Sequence, residues 1–281
     1  MALFDYTGKV VLVTGAGAGI GRACALAFGE RGARVCVNSV SESGKAVAEE
    51  IRTRGGESLF VQADVQNQLQ VERMVQKAAA AYGKLDVLVN CAGIVTGGSV
   101  VETDLETWNR VMAVNATGVF LTCRAAMPYL RKTRGCITNI TSLVAIKGIA
   151  SRAAYSASKG AVLALSRAMA ADCLADGVRV NCVSPGTVLS PSLQGRIDGE
   201  PNPEEAYARY VSRQPMGRLG TPEEIAAAVI YTCSAEAAFL SEPAADVIAA
   251  TMTTVLFLKT FPGIVRETEA MEKAKEKKGQ I

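Results

Sequence analysis

The feature that most constrains this fold is a series of six short apolar runs separated by longer segments with helical spacing. The runs are rich in valine and isoleucine and are apolar throughout, which is typical of strands in a parallel sheet covered on both faces. They occupy residues 9–14, 33–38, 58–63, 85–90, 136–141 and 178–183. The segments between them predict helices over 19–29, 42–54, 69–82, 108–130 and 154–174.

This alternation predicts an α/β protein. Parallel strands are joined by right-handed crossovers, so successive strand–helix pairs build an open sheet with helices on both faces. We therefore expect a single doubly wound, Rossmann-type domain with a mainly parallel sheet. No linker or internal repeat divides the 281 residues. We assign residues 1–240 to the main domain, and 241–281 to a divergent C-terminal extension of it with a charged tail from about residue 265.

Composition excludes several classes of function. The net charge of +3, from 30 basic and 27 acidic residues, does not indicate a nucleic-acid-binding protein. Histidine is absent, which excludes Ser-His-Asp triads and every metal site that needs histidine. None of the eight cysteines belongs to a C-x-x-C pair, so we expect no metal site.

The sequence does not favour a membrane protein. Its most apolar late run, Val247 to Leu258, has about twelve residues, whereas a spanning helix needs about twenty. The cysteines stand singly inside apolar segments, as core residues do in a reducing compartment. We therefore expect a cytoplasmic protein with no membrane partner.

A glycine-rich turn, Thr14-Gly15-Ala16-Gly17-Ala18-Gly19-Ile20-Gly21, follows the first strand. Missing side chains let the backbone approach a diphosphate, and the helix that follows offers unpaired N–H groups and the positive end of its dipole. The spacing is G-x-x-x-G-x-G and not the commoner G-x-G-x-x-G, so the turn alone is also compatible with a structural role. Its place between a strand and a helix predicts a dinucleotide site that includes Gly15, Gly17, Gly19, Ile20 and Gly21.

The end of the second strand bears on which dinucleotide binds. A carboxylate there would bond the ribose 2′-hydroxyl of NAD(H). The sequence instead has Asn38, Ser39 and Ser41, with no carboxylate before Glu42. Asn38, Ser39 and Ser41 could donate hydrogen bonds to a 2′-phosphate, and Arg22 could supply a positive charge. We therefore favour NADP(H). No basic residue follows the strand directly, and NAD(H) stays possible.

Four polar residues form a second constellation. Tyr155 and Lys159 are four apart on a predicted helix and therefore share one face. A neighbouring ammonium lowers the pKa of a tyrosine from about 10, which suits proton exchange with a carbonyl or alcohol oxygen. The pair alone is also compatible with a buried tyrosine and a solvated lysine. Ser142 ends the fifth strand, at the edge where parallel sheets bind ligands, and Asn115 lies inside a predicted helix, where asparagine is unfavourable unless it is used.

In this order, the motifs resemble the short-chain dehydrogenase/reductase family, especially its 3-oxoacyl-[acyl-carrier-protein]-reductase-like members. The resemblance covers about residues 5–240. Besides the residues above, it rests on Asp64-Val65, Asn90-Cys91-Ala92-Gly93, Asn181, Pro185-Gly186 and Arg218-x-Gly220-x-Pro222-Glu223-Glu224-Ile225. It implies hydride transfer between a nicotinamide cofactor and a ketone or secondary alcohol, without a metal.

The resemblance also implies residue roles. Tyr155 would be the general acid/base, Lys159 would lower its pKa and hold the nicotinamide ribose, Ser142 would orient the substrate oxygen, and Asn115 would anchor a water in a proton relay. The cofactor would be held at three further places, by Asp64 and Val65 at the adenine, by Asn90, Ala92 and Gly93 along the groove, and by Pro185, Gly186, Val188 and Ser190 at the nicotinamide end.

The C-terminal part departs from this family. Members usually continue after residue 240 with Thr-Gly and a seventh strand, whereas this chain has Ser241-Glu242-Pro243. The run 247–258 could form a replacement strand or a helix. This divergence leaves a cofactor-binding scaffold or sensor with little catalysis as the alternative to an active carbonyl reductase or alcohol dehydrogenase.

Two expectations concern the partners. Residues 187–213 are rich in proline and glycine and resemble a mobile lid, and the neighbours of the catalytic residues are mostly apolar. We therefore expect a medium-sized, partly apolar carbonyl or alcohol as the small-molecule substrate. Helix 154–174 has apolar residues on more than one face, and with the resemblance this predicts a homodimer or homotetramer.

Overall fold

The computed structural model of the chain describes residues 4–241. The six predicted strands are confirmed, and their bounds differ from the sequence patterns by one or two residues. They are β1 (Val10–Thr14), β2 (Arg34–Ser39), β3 (Glu57–Gln62), β4 (Val87–Asn90), β5 (Cys136–Ile140) and β6 (Arg179–Val183). The helices are α1 (Gly19–Gly29), α2 (Ser43–Thr53), α3 (Gln68–Tyr82), α4 (Leu105–Met112), α5 (Gly118–Thr133), α6 (Ala153–Cys173), α7 (Pro191–Asp198), α8 (Pro203–Val211) and α9 (Pro222–Cys233).

The strands form one sheet in the order β3-β2-β1-β4-β5-β6, and every neighbouring pair is parallel. The chain winds outward from β1 to β3 and then returns to the other side of β1. Thr14 at the end of β1 is in register with Asn90 at the end of β4. The strand order therefore reverses between these two ends, which is where doubly wound sheets bind their ligands.

Both faces of the sheet are covered, as the apolar runs predict. Successive residues of β1 point to opposite faces, so Val11 and Val13 pack with α1, α2 and α9. Val10 and Leu12 pack on the other face with α3, α5 and α6. All four are fully buried. Full burial of one such side chain stabilises the fold by about 1.5–3 kcal/mol, so β1 is the centre of both cores.

Two segments differ from the sequence predictions. The predicted helix 108–130 is interrupted, because a short π-helical segment at Ala113–Thr117 lies between α4 and α5. The predicted lid, 187–213, is not an irregular loop, since it contains α7 and α8. Both begin with proline and are capped by a side chain, Ser190 for α7 and Asn202 for α8. Proline at the first helical position is favourable because it lacks an N–H that the helix would leave unpaired.

The apolar run 247–258 and the charged tail lie outside the described residues, and the division of the chain at residue 240 stays a prediction. In the range 4–241, no helix combines the length and the apolar character that a membrane span requires. All eight cysteines lie within this range, and none of them forms a disulfide there.

Candidate active site

The glycine-rich turn packs backbone against backbone at the point where the strand order reverses. Gly15 has a φ of +62°, and a Cβ placed on it would lie 2.6 Å from the Cα of Ala92. The Thr14 hydroxyl oxygen accepts hydrogen bonds from the N–H groups of Cys91 at 3.2 Å and Ala92 at 3.3 Å. The end of β1 and the segment after β4 are therefore held together by the close approach of Gly15 to Ala92 and by the Thr14 hydroxyl.

Helix α1 begins in this turn without a capping side chain. Its N-cap is Ala18, which cannot accept a hydrogen bond from the first-turn N–H groups. By contrast, side chains cap α3, α4, α7, α8 and α9. An open helix N-terminus bordered by glycines matches a diphosphate in charge and shape. The turn therefore fits the dinucleotide cofactor that the sequence predicts.

One cavity of about 790 Å³ joins this turn to the predicted catalytic residues. Ser142, Tyr155 and Lys159 all line it. Ten of the predicted cofactor residues line it as well, namely Gly15, Gly19, Ile20, Gly21, Ala92, Gly93, Pro185, Gly186, Val188 and Ser190. The fold thus brings together segments from the ends of β1, β4, β5 and β6 at one edge of the sheet.

Tyr155 and Ser142 line the same cavity. Ser142 follows β5, and its side chain acts on the phenol electrostatically. Burial raises the pKa of Tyr155, while the Ser142 hydroxyl and the positive charges of Arg196 and Arg152 act in the opposite direction. The spacing of Tyr155 and Lys159 had predicted a lowered pKa. The structure corrects this expectation, because desolvation of the phenolate outweighs these favourable contacts.

Lys159 is one turn further along α6 and is only 5% exposed. Its ammonium lies 5.9 Å from the centre of the Tyr155 ring and donates a hydrogen bond to the Ile140 carbonyl at 2.7 Å. Burial lowers the pKa of Lys159 to about 8. A lysine with this pKa gives up its proton near neutral pH much more readily than a solvated one.

Asn115 lies behind the cavity wall in the π-helical segment and is fully buried. Its carbonyl oxygen accepts from the Ile94 N–H at 2.8 Å, and its amide donates to the Ile94 carbonyl at 2.9 Å and to the Ser158 hydroxyl at 3.0 Å. Ser158 in turn donates to the Tyr155 carbonyl at 2.7 Å. Both amide hydrogens are thus engaged, so this side chain fixes the loop after β4 to α6 and has no donor left for the predicted water.

Asn90 does not reach the cavity with its side chain. Its amide donates to Asn139 at 2.8 Å and to the sulfur of Cys123 at 3.3 Å, and its carbonyl oxygen accepts from Thr122 at 2.7 Å. The side chain therefore belongs to a buried network between β4, β5 and α5, and the assignment of Asn90 to the cofactor groove stays a prediction. The predicted adenine contacts, Asp64 and Val65, follow β3 and also lie outside the cavity lining.

The polar side chains at the end of β2 form hydrogen bonds within the chain. Asn38 uses its amide for the carbonyls of Val61 and Ala63, both at 3.1 Å, and Ser39 donates to the Ser41 carbonyl at 2.5 Å. Neither has a donor left for a 2′-phosphate, which corrects that part of the prediction. Arg22 is likewise paired with Glu50 at 2.6 Å.

Sequence reasoning missed one hydroxyl at this place. Ser43, the first residue of α2, lies beside Ser41, with the two hydroxyl oxygens 3.0 Å apart. Gly17 packs against Ser43, since a Cβ on Gly17 would collide with the Ser43 hydroxyl. The N-cap residue of α2, Glu42, makes no side-chain cap, and the Ser39 hydroxyl oxygen accepts from the Gly44 N–H at 3.0 Å. The sequence signal that could have identified Ser43 is its position at the start of a predicted helix.

Sequence reasoning also missed the cationic character of the cavity. Besides Lys159, the lining includes Lys147, Arg152, Arg196 and Arg213. They come from the loop after β5, the residue before α6, helix α7 and the residues after α8. No local motif marks them, because only the fold brings these four segments together.

Within residues 4–241, no three cysteine, aspartate or glutamate side chains cluster in a way that could hold a metal ion. The cavity therefore offers a proton donor, a hydroxyl, several cations and an uncapped helix. This set can bind a diphosphate-containing cofactor and protonate an oxygen beside it.

Comparisons with known proteins agree with this arrangement. The family model described as enoyl-(acyl carrier protein) reductase matches residues 15–242. An uncharacterized oxidoreductase of Thermotoga maritima is 44% identical over 239 residues, which is 84% of this chain and 94% of that protein. 2-(S)-Hydroxypropyl-CoM dehydrogenase 3 of Xanthobacter autotrophicus is 41% identical over 235 residues, 83% of this chain and 92% of that protein. Among solved structures, ligand-free aldohexose dehydrogenase of Thermoplasma acidophilum has a TM-score of 0.76 and 32% identity, covering 85% of this chain and 91% of its own.

Proposed function

The chain belongs to the short-chain dehydrogenase/reductase family of oxidoreductases, and from this premise we propose that it transfers a hydride between NADP(H) and a ketone or secondary alcohol, with Tyr155 as the general acid/base. The observation that supports the proposal is that Ser142, Tyr155 and Lys159 line the same cavity as the uncapped start of α1. A proton donor and a dinucleotide site thus share one space.

In the direction of reduction, Tyr155 gives its phenolic proton to the carbonyl oxygen. The Ser142 hydroxyl, which lines the same cavity as Tyr155, orients the same oxygen and stabilises the negative charge that develops on it. Burial raises the Tyr155 pKa, which favours the protonated phenol that this direction requires. In the direction of oxidation, the phenolate accepts the alcohol proton.

Lys159 and Asn115 act on the position of Tyr155. The ammonium of Lys159 lies 5.9 Å from the centre of the Tyr155 ring and is buried, so solvent screens its charge little. The Asn115–Ser158 bonds hold the first turn of α6, where Tyr155 lies. These residues therefore keep the acid/base at a fixed place beside the cofactor groove.

The cofactor, when bound, supplies or accepts the hydride. The glycine turn with Ile20 would hold its diphosphate, Pro185, Gly186, Val188 and Ser190 would hold its nicotinamide end, and Asp64 and Val65 its adenine. The Ser41 and Ser43 hydroxyls at the start of α2 support a 2′-phosphate and hence NADP(H).

The variant Tyr155→Phe tests this function. It removes the only proton that the mechanism places on the carbonyl oxygen, so we expect kcat/KM for ketone reduction to fall by about 10²- to 10⁴-fold. Nicotinamide fluorescence titrations with NADPH and NADH accompany the assay. Wild type and variant should bind NADPH equally well, and both should bind it more tightly than NADH.

The matched control is Tyr207→Phe, which removes the same hydroxyl from a tyrosine that is 41% exposed on α8. Full turnover by Tyr155→Phe would refute the assigned acid/base. Tighter binding of NADH would refute the assigned 2′-phosphate site alone. Cofactor binding by wild type without turnover of any ketone would favour the cofactor-binding scaffold or sensor.

The expected assembly is a homodimer or homotetramer. Several large apolar side chains on and before α4 and on α5 are exposed in the single chain, among them Val101, Leu105 and Phe120. Light scattering at micromolar concentration should give a mass above that of one chain.

A further inference from the structure

The part of the cavity around Tyr155 is lined by cations without a matching carboxylate. Lys147, Arg152, Arg196 and Arg213 contribute positive charge there. In the part of the chain that the structure describes, neither aspartate nor glutamate lines the cavity. This imbalance is local, because the whole chain has a net charge of only +3.

Two of these cavity-lining arginines, Arg152 and Arg196, are bonded only to backbone carbonyls in the described range 4–241. Arg152 donates to the Ser151 carbonyl at 2.6 Å, and Arg196 donates to the Ser192 carbonyl at 3.2 Å. Arginines elsewhere form ion pairs, such as Arg218 with Glu224. A guanidinium has five N–H donors in a planar fork, so most donors of Arg152 and Arg196 remain available for a ligand.

Both arginines act on the reacting end of the site. They line the same cavity as Ser142 and Tyr155, and their charges lower the pKa of Tyr155 against the effect of burial. Arg152 immediately precedes α6, and Arg196 is on α7, so they reach the cavity from two separate elements. A group bound between them would therefore lie close to the oxygen that Tyr155 protonates.

We propose that Arg152 and Arg196 form an anion subsite that binds a carboxylate or sulfonate on the substrate, which makes the substrate an anionic ketone or the corresponding secondary alcohol. This inference rests on the proposed function and narrows its substrate class. The planar guanidinium fork pairs with the oxygens of such a group by two parallel hydrogen bonds. The phosphates of the cofactor are the other possible source of negative charge, and the experiment separates the two.

The experiment compares methyl ketones that end in a carboxylate with the same ketones ending in a primary amide. The series is CH₃CO(CH₂)ₙCO₂⁻ with two to four methylenes, and each amide has the same size without the charge. Wild type should prefer the carboxylates by roughly 10- to 100-fold in kcat/KM, mainly through KM. In Arg152→Gln and in Arg196→Gln this ratio should fall towards one.

The ratio between the two substrates is the readout, because loss of either charge also raises the Tyr155 pKa and slows both reactions alike. Arg73→Gln is the matched control, since Arg73 is exposed on α3 and far from the cavity lining. It should leave the ratio as in wild type. Equal kcat/KM for carboxylate and amide in wild type would overturn the anion subsite while leaving ketone reduction intact.

Calorimetry gives a second readout that does not require turnover. Binding of 4-oxopentanoate to the protein saturated with NADP⁺, which has no hydride to transfer, should be weakened in both cavity variants and unchanged in Arg73→Gln. If no ketone is reduced, the proposed function fails and this titration still decides the anion subsite. If both variants instead lose NADPH affinity by a similar factor, the arginines bind the cofactor phosphates and the inference is wrong.

Discussion

The glycine-rich part of the cavity presents backbone, whereas the part around Tyr155 presents side chains. At the turn, Gly15 lies against Ala92 and α1 starts with no side-chain cap. Around the phenol, a serine, a buried lysine and two half-buried arginines converge from four different segments. A site built from N–H groups recognises what all dinucleotides share. A site built from side chains can change its substrate by single replacements, so specificity belongs to the second part.

The largest effect that this comparison predicts is at Gly15. In Gly15→Ala, the new Cβ meets the Ala92 backbone and the residue must keep a φ of +62°. We expect the free energy of unfolding to fall by about 3 kcal/mol or more, since close contact and backbone strain add. NADPH binding should be lost as the turn moves. Urea denaturation and nicotinamide fluorescence measure the two effects.

Gly55→Ala separates strain from contact. Gly55 has a φ of +87°, and a Cβ there would meet no atom within 4 Å. It should therefore lose only about 1 kcal/mol, from backbone strain alone, and bind NADPH as wild type does. Equal losses in the two variants would mean that the approach of Gly15 to Ala92 contributes nothing.

The next effect concerns the open end of α1. Ala18→Asp supplies the missing cap and should stabilise the protein by about 1 kcal/mol. The same carboxylate occupies the N–H groups and repels a diphosphate, so we expect NADPH affinity to fall by at least about tenfold. Thermal unfolding and the fluorescence titration follow both quantities on one sample.

Ala18→Asn is the matched control, because an asparagine caps a helix about as well as an aspartate but has no charge. Its NADPH affinity should lie between those of wild type and Ala18→Asp. Unchanged affinity in both variants would mean that α1 does not receive the diphosphate, and the division of the cavity into a backbone part and a side-chain part would be broken.

The same division explains how much the sequence could predict. Strands, helices and the glycine turn are encoded by spacing over a few residues, and their order predicted the sheet and the edge where Ser142, Tyr155 and Lys159 meet. The sequence did not reveal that the side-chain amides of Asn38 and Asn90 donate hydrogen bonds to other residues inside the fold. Hydrogen-bond partners are chosen by tertiary contacts, so a polar residue beside a motif can be structural.

The missed cations have a similar cause. Arg152 and Arg196 are 44 residues apart in the sequence and belong to no shared pattern. Proline and glycine are common in loops, and their frequency in residues 187–213 predicts an irregular lid. In the structure, Pro191 and Pro203 instead start helices. Once α7 is a helix, Arg196 has a fixed place in the cavity wall. The π-helical segment at Asn115 was equally hidden, since a π-helix and an α-helix have nearly the same apolar spacing.

The last predicted effect is a change in stability with pH, and it measures what the buried lysine of the side-chain part costs in stability. In the folded protein, burial lowers the pKa of Lys159 from 10.5 to about 8. Below pH 8 the ammonium is charged in both states, and its burial destabilises the fold. Above that pH the folded protein releases a proton that the unfolded chain keeps until about pH 10.5, so stability rises with pH. Relative to Lys159→Met, wild type should gain about 2 kcal/mol between pH 7 and pH 9.5.

Urea denaturation of both proteins at the two pH values gives this difference, and the other titrating groups cancel in it. Lys77→Met, at an exposed position on α3, should show no such gain. A pH-independent difference between wild type and Lys159→Met would mean that the buried ammonium is not destabilised. The two parts of the cavity would then not differ in their cost to stability. The side-chain part would hold its buried ammonium as easily as the glycine-rich turn holds its unpaired N–H groups.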